Sequence, residues 1–484
     1  MMIYTRSASE AFANELFETA RVFYPGSQRA HEREGLIIVH SAVGKTVDGI
    51  DRWTDSISVT LPSGKVRRFS TTTRDDADAL SLIRRRKYGM RMKLYRLLKA
   101  ETGQHPPWGA LTGVRPTRLF AQRVASGLTP PQSAASLARE YDITPEKVNL
   151  LADVYWMQRA LLDAAPNALD IYVGIPFCPT TCDYCSFGSI PIQSFSPLQV
   201  TAYVEALKHE LIAIRPMMGD MGFLPRCVYV GGGTPTVLPG HLLEQLLRVL
   251  RGLFPEAIEW TVEAGRPDTL DNDRLEVLRD AGIRRISINP QTMNDATLAR
   301  IGRNHTAADV LDAYQRARPH FPIINMDIIA ALPGETPEDM QQTLDILQSL
   351  KPDNLTVHTL AIKRASRLHH EGAVNEDAAQ AEAAVAAAAA CAAEMGLLPY
   401  YLYRQKAMAG ELENVGYARP GTACRYNVDI MEEGVAIAAF GAGGISKAIH
   451  LGGRIERSPN VRNAAEYILR IEEMIARKRM LWKT

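Results

Sequence analysis

Between about residues 168 and 360 the chain alternates short apolar runs with longer stretches of helical spacing, six times over. The strand candidates are 170–175, 227–231, 259–263, 285–289, 323–329 and 354–360. Helix candidates such as 242–253, 272–281, 307–316 and 337–350 lie between them. Alternation of this kind implies a parallel sheet with crossover helices. In barrels built this way the chemistry collects at the C-terminal ends of the strands. Motifs directly after a strand are therefore the ones to read first.

The loop leaving the first strand holds Cys178, Cys182 and Cys185, three of the chain's six cysteines, spaced C-x3-C-x2-C. Three thiolates on one short loop can hold three corners of a cubane iron–sulfur cluster. The fourth iron then has an open position for a small molecule. A zinc site wants a fourth nearby Cys or His, and the loop offers none. A disulfide would leave one cysteine over.

At these residues the string Y-x-x-I-P-F-C-x-x-x-C-x-Y-C-x-F, from Tyr172 to Phe187, resembles the radical S-adenosylmethionine (SAM) proteins. Within them it is similar to the branch of oxygen-independent coproporphyrinogen III oxidases and their heme-chaperone relatives. The resemblance implies an α/β fold: a partial (β/α)6 radical SAM barrel, here with an N-terminal α+β accessory region. It implies that Cys178, Cys182 and Cys185 ligate a [4Fe–4S] cluster whose open iron is chelated by SAM. It places Tyr172 close to SAM, with a catalytic role, and Tyr184 near the adenine.

The other strand ends extend the resemblance. Gly231-Gly232-Gly233-Thr234-Pro235 follows the second strand. It is neither a nucleoside triphosphate loop nor a Rossmann turn, and its glycines let backbone approach a ligand closely. The family's matching motif contacts SAM, which assigns Gly232, Gly233 and Thr234 to the cofactor. The same carry-over gives SAM contacts to Glu263, to Gln291 and to Arg303, whose rigid fork suits a carboxylate. Asp327 lies in an otherwise apolar strand, where an unpaired carboxylate would be costly, so the ribose hydroxyls are its expected partner. Ala361 and Ile445 match positions that touch the adenosine. The segment from Gly416 to Asn427 looks like the family's substrate-side loop, which makes Arg419 and Arg425 expected catalytic residues.

Upstream, residues 1–75 read as a small mixed α/β region and residues 76–165 as helical. The core with its extension is expected over 166–450, and a C-terminal helix over 451–484. Arg84 to Arg96 carries seven Lys/Arg and no acid, a pattern open to a solvated face, an anion wall or an RNA face. The string Trp108-Gly109-Ala110-Leu111-Thr112-Gly113-Val114-Arg115-Pro116-Thr117-Arg118-Leu119 resembles one in the HemZ-type subgroup of these proteins. Residues 128–151 have a helix–turn–helix flavour but carry no evident base-reading side chains.

The formal net charge is +1, from 55 Lys/Arg against 54 Asp/Glu. A chain so balanced does not read as a nucleic-acid binder. It has no apolar run of membrane-spanning length and no signal segment, so no membrane is expected as a partner. A cytoplasmic, reducing location is expected, which suits thiolates used as metal ligands. The favoured function is oxidation of coproporphyrinogen III to protoporphyrinogen IX in heme biosynthesis, a porphyrinogen substrate with a ferredoxin or flavodoxin as electron donor. Arginine is the fitting partner for the substrate's propionates, and Arg115, Arg118, Arg419 and Arg425 are the candidates. Two positions differ from the better-known oxidases: Phe187 stands where they carry a further cysteine, and Gly174 where they carry a histidine. The Phe is shared with the heme chaperones, so heme binding and delivery is the second reading. A radical SAM enzyme acting on another tetrapyrrole or on RNA is the third.

Overall fold

The computed structural model describes residues 1–48, 50–76, 78–113, 115–185, 188–362, 366–370, 377–406 and 408–483. They fall into two compact units. One comprises Met1–Ala152, Val374–Glu382 and Arg404–Glu413; the other comprises Asp153–Ala373, Ala383–Tyr403 and Asn414–Thr484. Among the described residues no helix is long and apolar enough to cross a membrane.

The first unit holds strands β1 (Met2–Arg6), β2 (Gln28–Arg29), β3 (Leu36–Val47), β4 (Ile50–Thr60) and β5 (Val66–Arg74), in the order β2-β1-β3-β4-β5. The sequence divides this region at about residue 75. In the structure Ile3, Leu36, Ile38 and Val59 of the sheet share one core with Met90, Leu94 and Leu98 of the helix Ala79–Thr102. Strands and helix bury each other's apolar faces, so they make one body.

The basic stretch 84–96 lies on that helix, and its cations are used unequally. Arg86 is buried, and the carboxylate of Asp55 accepts from its Nε at 3.0 Å and its Nη2 at 2.7 Å. His40 Nε2 lies 3.0 Å from the same carboxylate. Burial raises the Asp55 carboxyl, but hydrogen bonds from His40 and Arg86 outweigh it and hold it below the usual range. Arg91 pairs with Glu15 at 3.0 Å. This divided use does not suit a continuous nucleic-acid face. Arg86→Lys keeps the charge but loses one arm of the fork, and it is expected to cost ~1.5–3 kcal/mol of stability. Chemical denaturation measures this, with Arg85→Ala on the exposed pair to Asp76 as the control that moves little.

Trp108, in the subgroup-like string, is buried and donates its indole N–H to Glu413 at 2.7 Å. Lys147 reaches the same carboxylate at 2.5 Å. The string thus fastens the returning segment Arg404–Glu413 within this unit. Arg115 immediately precedes the helix Pro116–Ala125, and Arg118 lies in it.

The second unit carries the alternation. Its strands are β6 (Ala168–Ile175), the short β7 (Phe177–Cys178) and β8 (Ile190–Pro191), β9 (Leu224–Gly232), β10 (Glu259–Glu263), β11 (Arg285–Ser287), β12 (Ile323–Ala330) and β13 (Asn354–Thr359). Then follow β14 (Leu398–Tyr403), β15 (Asn414–Ala418), β16 (Ala436–Phe440), β17 (Ile445–Ile449) and β18 (Ile455–Pro459). The six expected strands, β6, β9, β10, β11, β12 and β13, are consecutive parallel neighbours. This is the partial (β/α)6 barrel. The crossover helices cover it with apolar stripes, as in Gly240–Leu253, where Leu242, Leu243, Leu246, Leu247 and Leu250 are buried. Thr306 and Thr336 each begin a helix with a capping box.

The sheet is wider than its six central strands. β16 adds in parallel to β6 and brings the antiparallel β17 and β18, while β15 and β14 add antiparallel beside β13. β18 and the helix Ile471–Lys483 are therefore part of this unit, and a strand occupies Ile455–Pro459 within the C-terminal helix expected over 451–484. Lys478 of that helix is fully buried and pairs with Glu210 at 2.6 Å. Glu210 also accepts from the amide of Gly441 at 3.0 Å, so the last helix is tied to the turn between β16 and β17.

Candidate active site

The inward faces of the parallel strands are polar, and period-2 alternation puts them in register. Tyr172 of β6 pairs with Tyr229 of β9, and Gly174 with Gly231 above them. The phenol of Tyr229 donates to Glu263 at the end of β10, 2.5 Å away. Asn325 and Asp327 line β12, and Thr356 lies opposite Asp327 on β13.

Above these ends sits the cysteine loop. Cys178, Cys182 and Cys185 are partly exposed and in no disulfide, whereas Cys227, Cys391 and Cys424 are buried elsewhere. The amide of Cys185 donates to the carbonyl of Cys182 at 3.0 Å, curling the loop back. Phe187 lies outside the described residues.

The glycine run makes close packing under this loop possible. A Cβ on Gly233 would stand 2.3 Å from the Phe177 carbonyl oxygen and 3.0 Å from Cys178 Sγ. Gly232 has φ of +112°, and a Cβ there would lie 2.7 Å from the Ile175 oxygen. Thr234 then brings its hydroxyl to 3.5 Å from Cys178 Sγ. Gly232 also gives its amide to Glu263 at 3.3 Å. Burial pushes the Glu263 carboxyl up to about 7, and the negative charge of Asp327 adds to the rise against the Tyr229 hydrogen bond.

The remaining expected cofactor residues gather at the same strand ends. Arg303 donates from Nη2 to the phenol of Tyr184 at 2.8 Å and from Nη1 to the Gly265 carbonyl at 3.4 Å. Gln291 has φ of +69°, a costly backbone for a residue with a side chain, and gives its amide to the Asp327 carbonyl at 2.9 Å. Tyr184 packs beside Leu360 and Ile362, the neighbours of Ala361. Ile445 opens β17 at this end of the sheet and is half exposed.

Asp327, for which a ligand or partner is expected, has protein partners: Asn325 donates to it at 2.7 Å and His358 Nε2 lies 3.8 Å away. Burial raises its carboxyl, but His358 and Asn325 outweigh that and hold it below the usual range.

Arg419 and Arg425 lie at the other end of the barrel. The Arg419 amide donates to the carbonyl of Asp353, directly before β13. The amide of Arg425 donates to Glu259, the first residue of β10, and its guanidinium pairs with Asp163 at 3.3 Å. The cause is a buried pair, Glu259 and Arg285, 2.9 Å apart at the N-terminal strand ends. Its spare hydrogen-bonding capacity is met by this segment: Arg285 donates to the carbonyls of Thr422 and Ala423, and Glu259 accepts from the amides of Arg425 and Tyr426. The ring of Tyr426 rises into the interior and stacks on Tyr229 at 4.4 Å. The segment is therefore the floor of the barrel, and the assignment of its two arginines to the substrate side is corrected.

Sequence reasoning passed over several residues of the site. Arg266 leaves β10 three residues after Glu263 and reaches the cysteine loop, with Nη1 3.5 Å from Cys182 Sγ. His305 is buried near Arg303 and Arg266, and burial with those two charges pushes it down to about 4, so it is neutral. Tyr229 and His358 could have been found by stepping two residues back from Gly231 and from Leu360 along the inward face.

These residues fit an iron–sulfur cluster with a polar ligand beside it. Three accessible thiols stand on one loop, and the donors Thr234 and Arg266 already lie against two of them. Among the described residues, Asn289 Oδ1, Gln291 Oε1 and Arg303 Nε are buried atoms with no hydrogen-bond partner. Such atoms are costly unless something satisfies them; Asn289 and Gln291 follow β11, and Arg303 reaches Tyr184 of the cysteine loop.

Comparison with known proteins agrees with this geometry. The Radical SAM superfamily family profile matches residues 172–347. The chain is 39% identical over 386 residues, 78% of its length and 77% of the relative's, to the oxygen-independent coproporphyrinogen-III oxidase-like protein HemZ of Bacillus subtilis. It is 35% identical over 196 residues to the heme chaperone HemW of the same organism, covering 40% of this chain and half of that one. Among solved structures it is similar to coproporphyrinogen III oxidase (HemN) from Escherichia coli, with a TM-score of 0.51 at 23% identity, over 66% of this chain and 73% of that one.

Proposed function

This chain belongs to the radical SAM superfamily, in its oxygen-independent coproporphyrinogen III oxidase-like family, and from that premise we propose that it converts coproporphyrinogen III to protoporphyrinogen IX. Its cofactors are a [4Fe–4S] cluster and SAM. Cys178, Cys182 and Cys185 hold the cluster, and Glu263, Gln291, Arg303 and Asp327 hold SAM, with Gly232, Gly233 and Thr234 behind the cluster loop and Tyr172, Tyr184, Ala361 and Ile445 around it. When bound, the pair would supply the radical chemistry that removes hydrogen from a propionate β-carbon; CO2 would then leave and one electron would pass to an external one-electron acceptor, giving a vinyl group, and two such events would complete the conversion. A low-potential ferredoxin or flavodoxin in the cytoplasm is the fitting electron source.

The observation that carries this reading is the extent of the HemZ match. It runs over 78% of the chain at 39% identity, whereas the HemW matches cover 40% at 35% identity or 62% at 27%. The test is anaerobic product analysis of reconstituted protein with coproporphyrinogen III, SAM and a reductant. The expected products are 5′-deoxyadenosine, CO2 and protoporphyrinogen. Tight heme binding with cleaved SAM but no decarboxylation would hand the case to a heme-delivery role. Two observations favour that second reading: Arg419 and Arg425 do not face the site, and Gly174 has little room for a side chain. A Cβ at Gly174 would stand 3.3 Å from the Tyr172 ring and 3.4 Å from two backbone carbonyl oxygens, so the histidine of the better-known oxidases would not fit without a shift.

Glu263 gives a pH prediction. With its carboxyl near 7, it is protonated in acid and ionised above neutrality. SAM is a cation that favours the ionised form, so SAM binding should tighten as pH rises towards 7, by about tenfold per unit, and level off above. Equilibrium binding across pH 5.5–8.5, roughly one and a half units either side of that value, measures the slope. Glu263→Gln should remove it.

A further inference from the structure

We infer that Arg266 is a positioning residue that raises the reduction potential of the cluster through the sulfur of Cys182. The inference rests on the cluster alone and is independent of which tetrapyrrole the protein handles. Arg266 is buried, 3% exposed, and its Nη1 stands 3.5 Å from Cys182 Sγ. Its orientation is fixed from the far side. Asp268 accepts from Nε at 2.9 Å and from Nη2 at 2.8 Å, occupying one whole edge of the fork. The edge that remains turns Nη1 towards the cysteine loop, where Thr180 Oγ1 lies 3.2 Å from both terminal nitrogens.

The chemistry follows from charge. Reduction adds one electron and breaks no bond, so the thiolate sulfurs carry more negative charge afterwards than before. A guanidinium N–H aimed at one of those sulfurs stabilises the reduced state more than the oxidised one. Hydrogen bonds to the sulfurs and net charge are among the quantities that set such potentials. Burial leaves the interaction little screened by solvent. The counter-charge of Asp268 does not cancel it, because that carboxylate binds the opposite edge and lies farther from the sulfur. The neighbouring imidazole of His305 is neutral and adds no competing charge.

A second role is open to the same contacts: Arg266 could simply clasp the loop. The two differ in what they move. A clasp changes how much cluster the protein retains, while a charge at the sulfur changes the midpoint of a cluster that is fully retained. The experiment is an anaerobic, dye-mediated redox titration of the reconstituted protein without substrate or SAM, read by electron paramagnetic resonance, with iron and sulfide counted in the same samples. Arg266→Gln should lower the equilibrium constant for reduction about tenfold, a fall of about 59 mV for one electron. Asp268→Asn, which keeps Arg266 and the cysteines but removes the counter-charge, should move the midpoint the other way. An unchanged midpoint in Arg266→Gln with a full cluster overturns the inference. So does an unchanged or lowered midpoint in Asp268→Asn, and that variant decides alone if Arg266→Gln retains no cluster. Neither result bears on the oxidase reading, which product analysis tests separately.

Discussion

Cys178→Ala, reconstituted without oxygen, is expected to contain almost no [4Fe–4S] cluster and to cleave no SAM. Each cubane corner needs its own ligand, and the loop supplies three with none to spare. The strand pair β7 and β8 fixes Cys178 at the loop's start, against Thr234, so no other thiol can take its place. The remaining cysteines give the contrast. Cys227 and Cys424 are buried near the barrel floor, where Cys424 Sγ lies 3.3 Å from Glu259, and Cys391 lies 3.6 Å from the Leu344 carbonyl under a crossover helix. Replacing any of these three by Ala should leave the iron and sulfide content unchanged. Iron and sulfide analysis of the four variants checks this, and a full cluster in Cys178→Ala would sink the assignment.

The barrel was legible because its signals are local and repeated. The strands from β6 to β13 are apolar on the face under the helices, and several of those helices begin at a recognisable cap such as Thr306 or Thr336. The strand-end rule then sorted the motifs, since Gly232 and Glu263 end their strands and Gln291 lies four residues after β11. What the sequence hid is what depends on pairing between distant segments. β15 joins β13 and β16 joins β6 across long stretches of chain, and the nearby strands β14, β17 and β18 widen the sheet from there.

The arginines of the segment after β15 show the same limit in the site. A motif such as Tyr417-Ala418-Arg419-Pro420-Gly421 carries no mark of which end of a barrel it meets. That was decided by Glu259 and Arg285, two charges buried at the strand starts that need backbone partners. Arg266 was missed for the opposite reason. It lies in plain view after β10, but an arginine three residues past a carboxylate reads as a solvated side chain until its 3.5 Å approach to Cys182 is known.

Arg303→Ala should weaken SAM binding by ~2–5 kcal/mol, roughly 30-fold to 4,000-fold in Kd. Arg303 is buried, 7% exposed, and joins two sides of the proposed cofactor site: Tyr184 on the cysteine loop and Gly265 after β10. Its Nε has no partner among the described residues. A buried guanidinium with a donor left over is poised for an anion, and the carboxylate of SAM is the anion the family's chemistry brings. Removing the side chain deletes that partner and frees the Tyr184 phenol, so affinity should fall even when the cluster is retained. Arg303→Lys separates the two contributions. It restores a charge but offers no fork, so it should recover part of the affinity and leave Tyr184 unheld. Equilibrium binding under anaerobic conditions, with cluster content measured in parallel, reads both variants. Unchanged SAM affinity in Arg303→Ala with a full cluster would remove Arg303 from the site and leave its unpaired Nε unexplained.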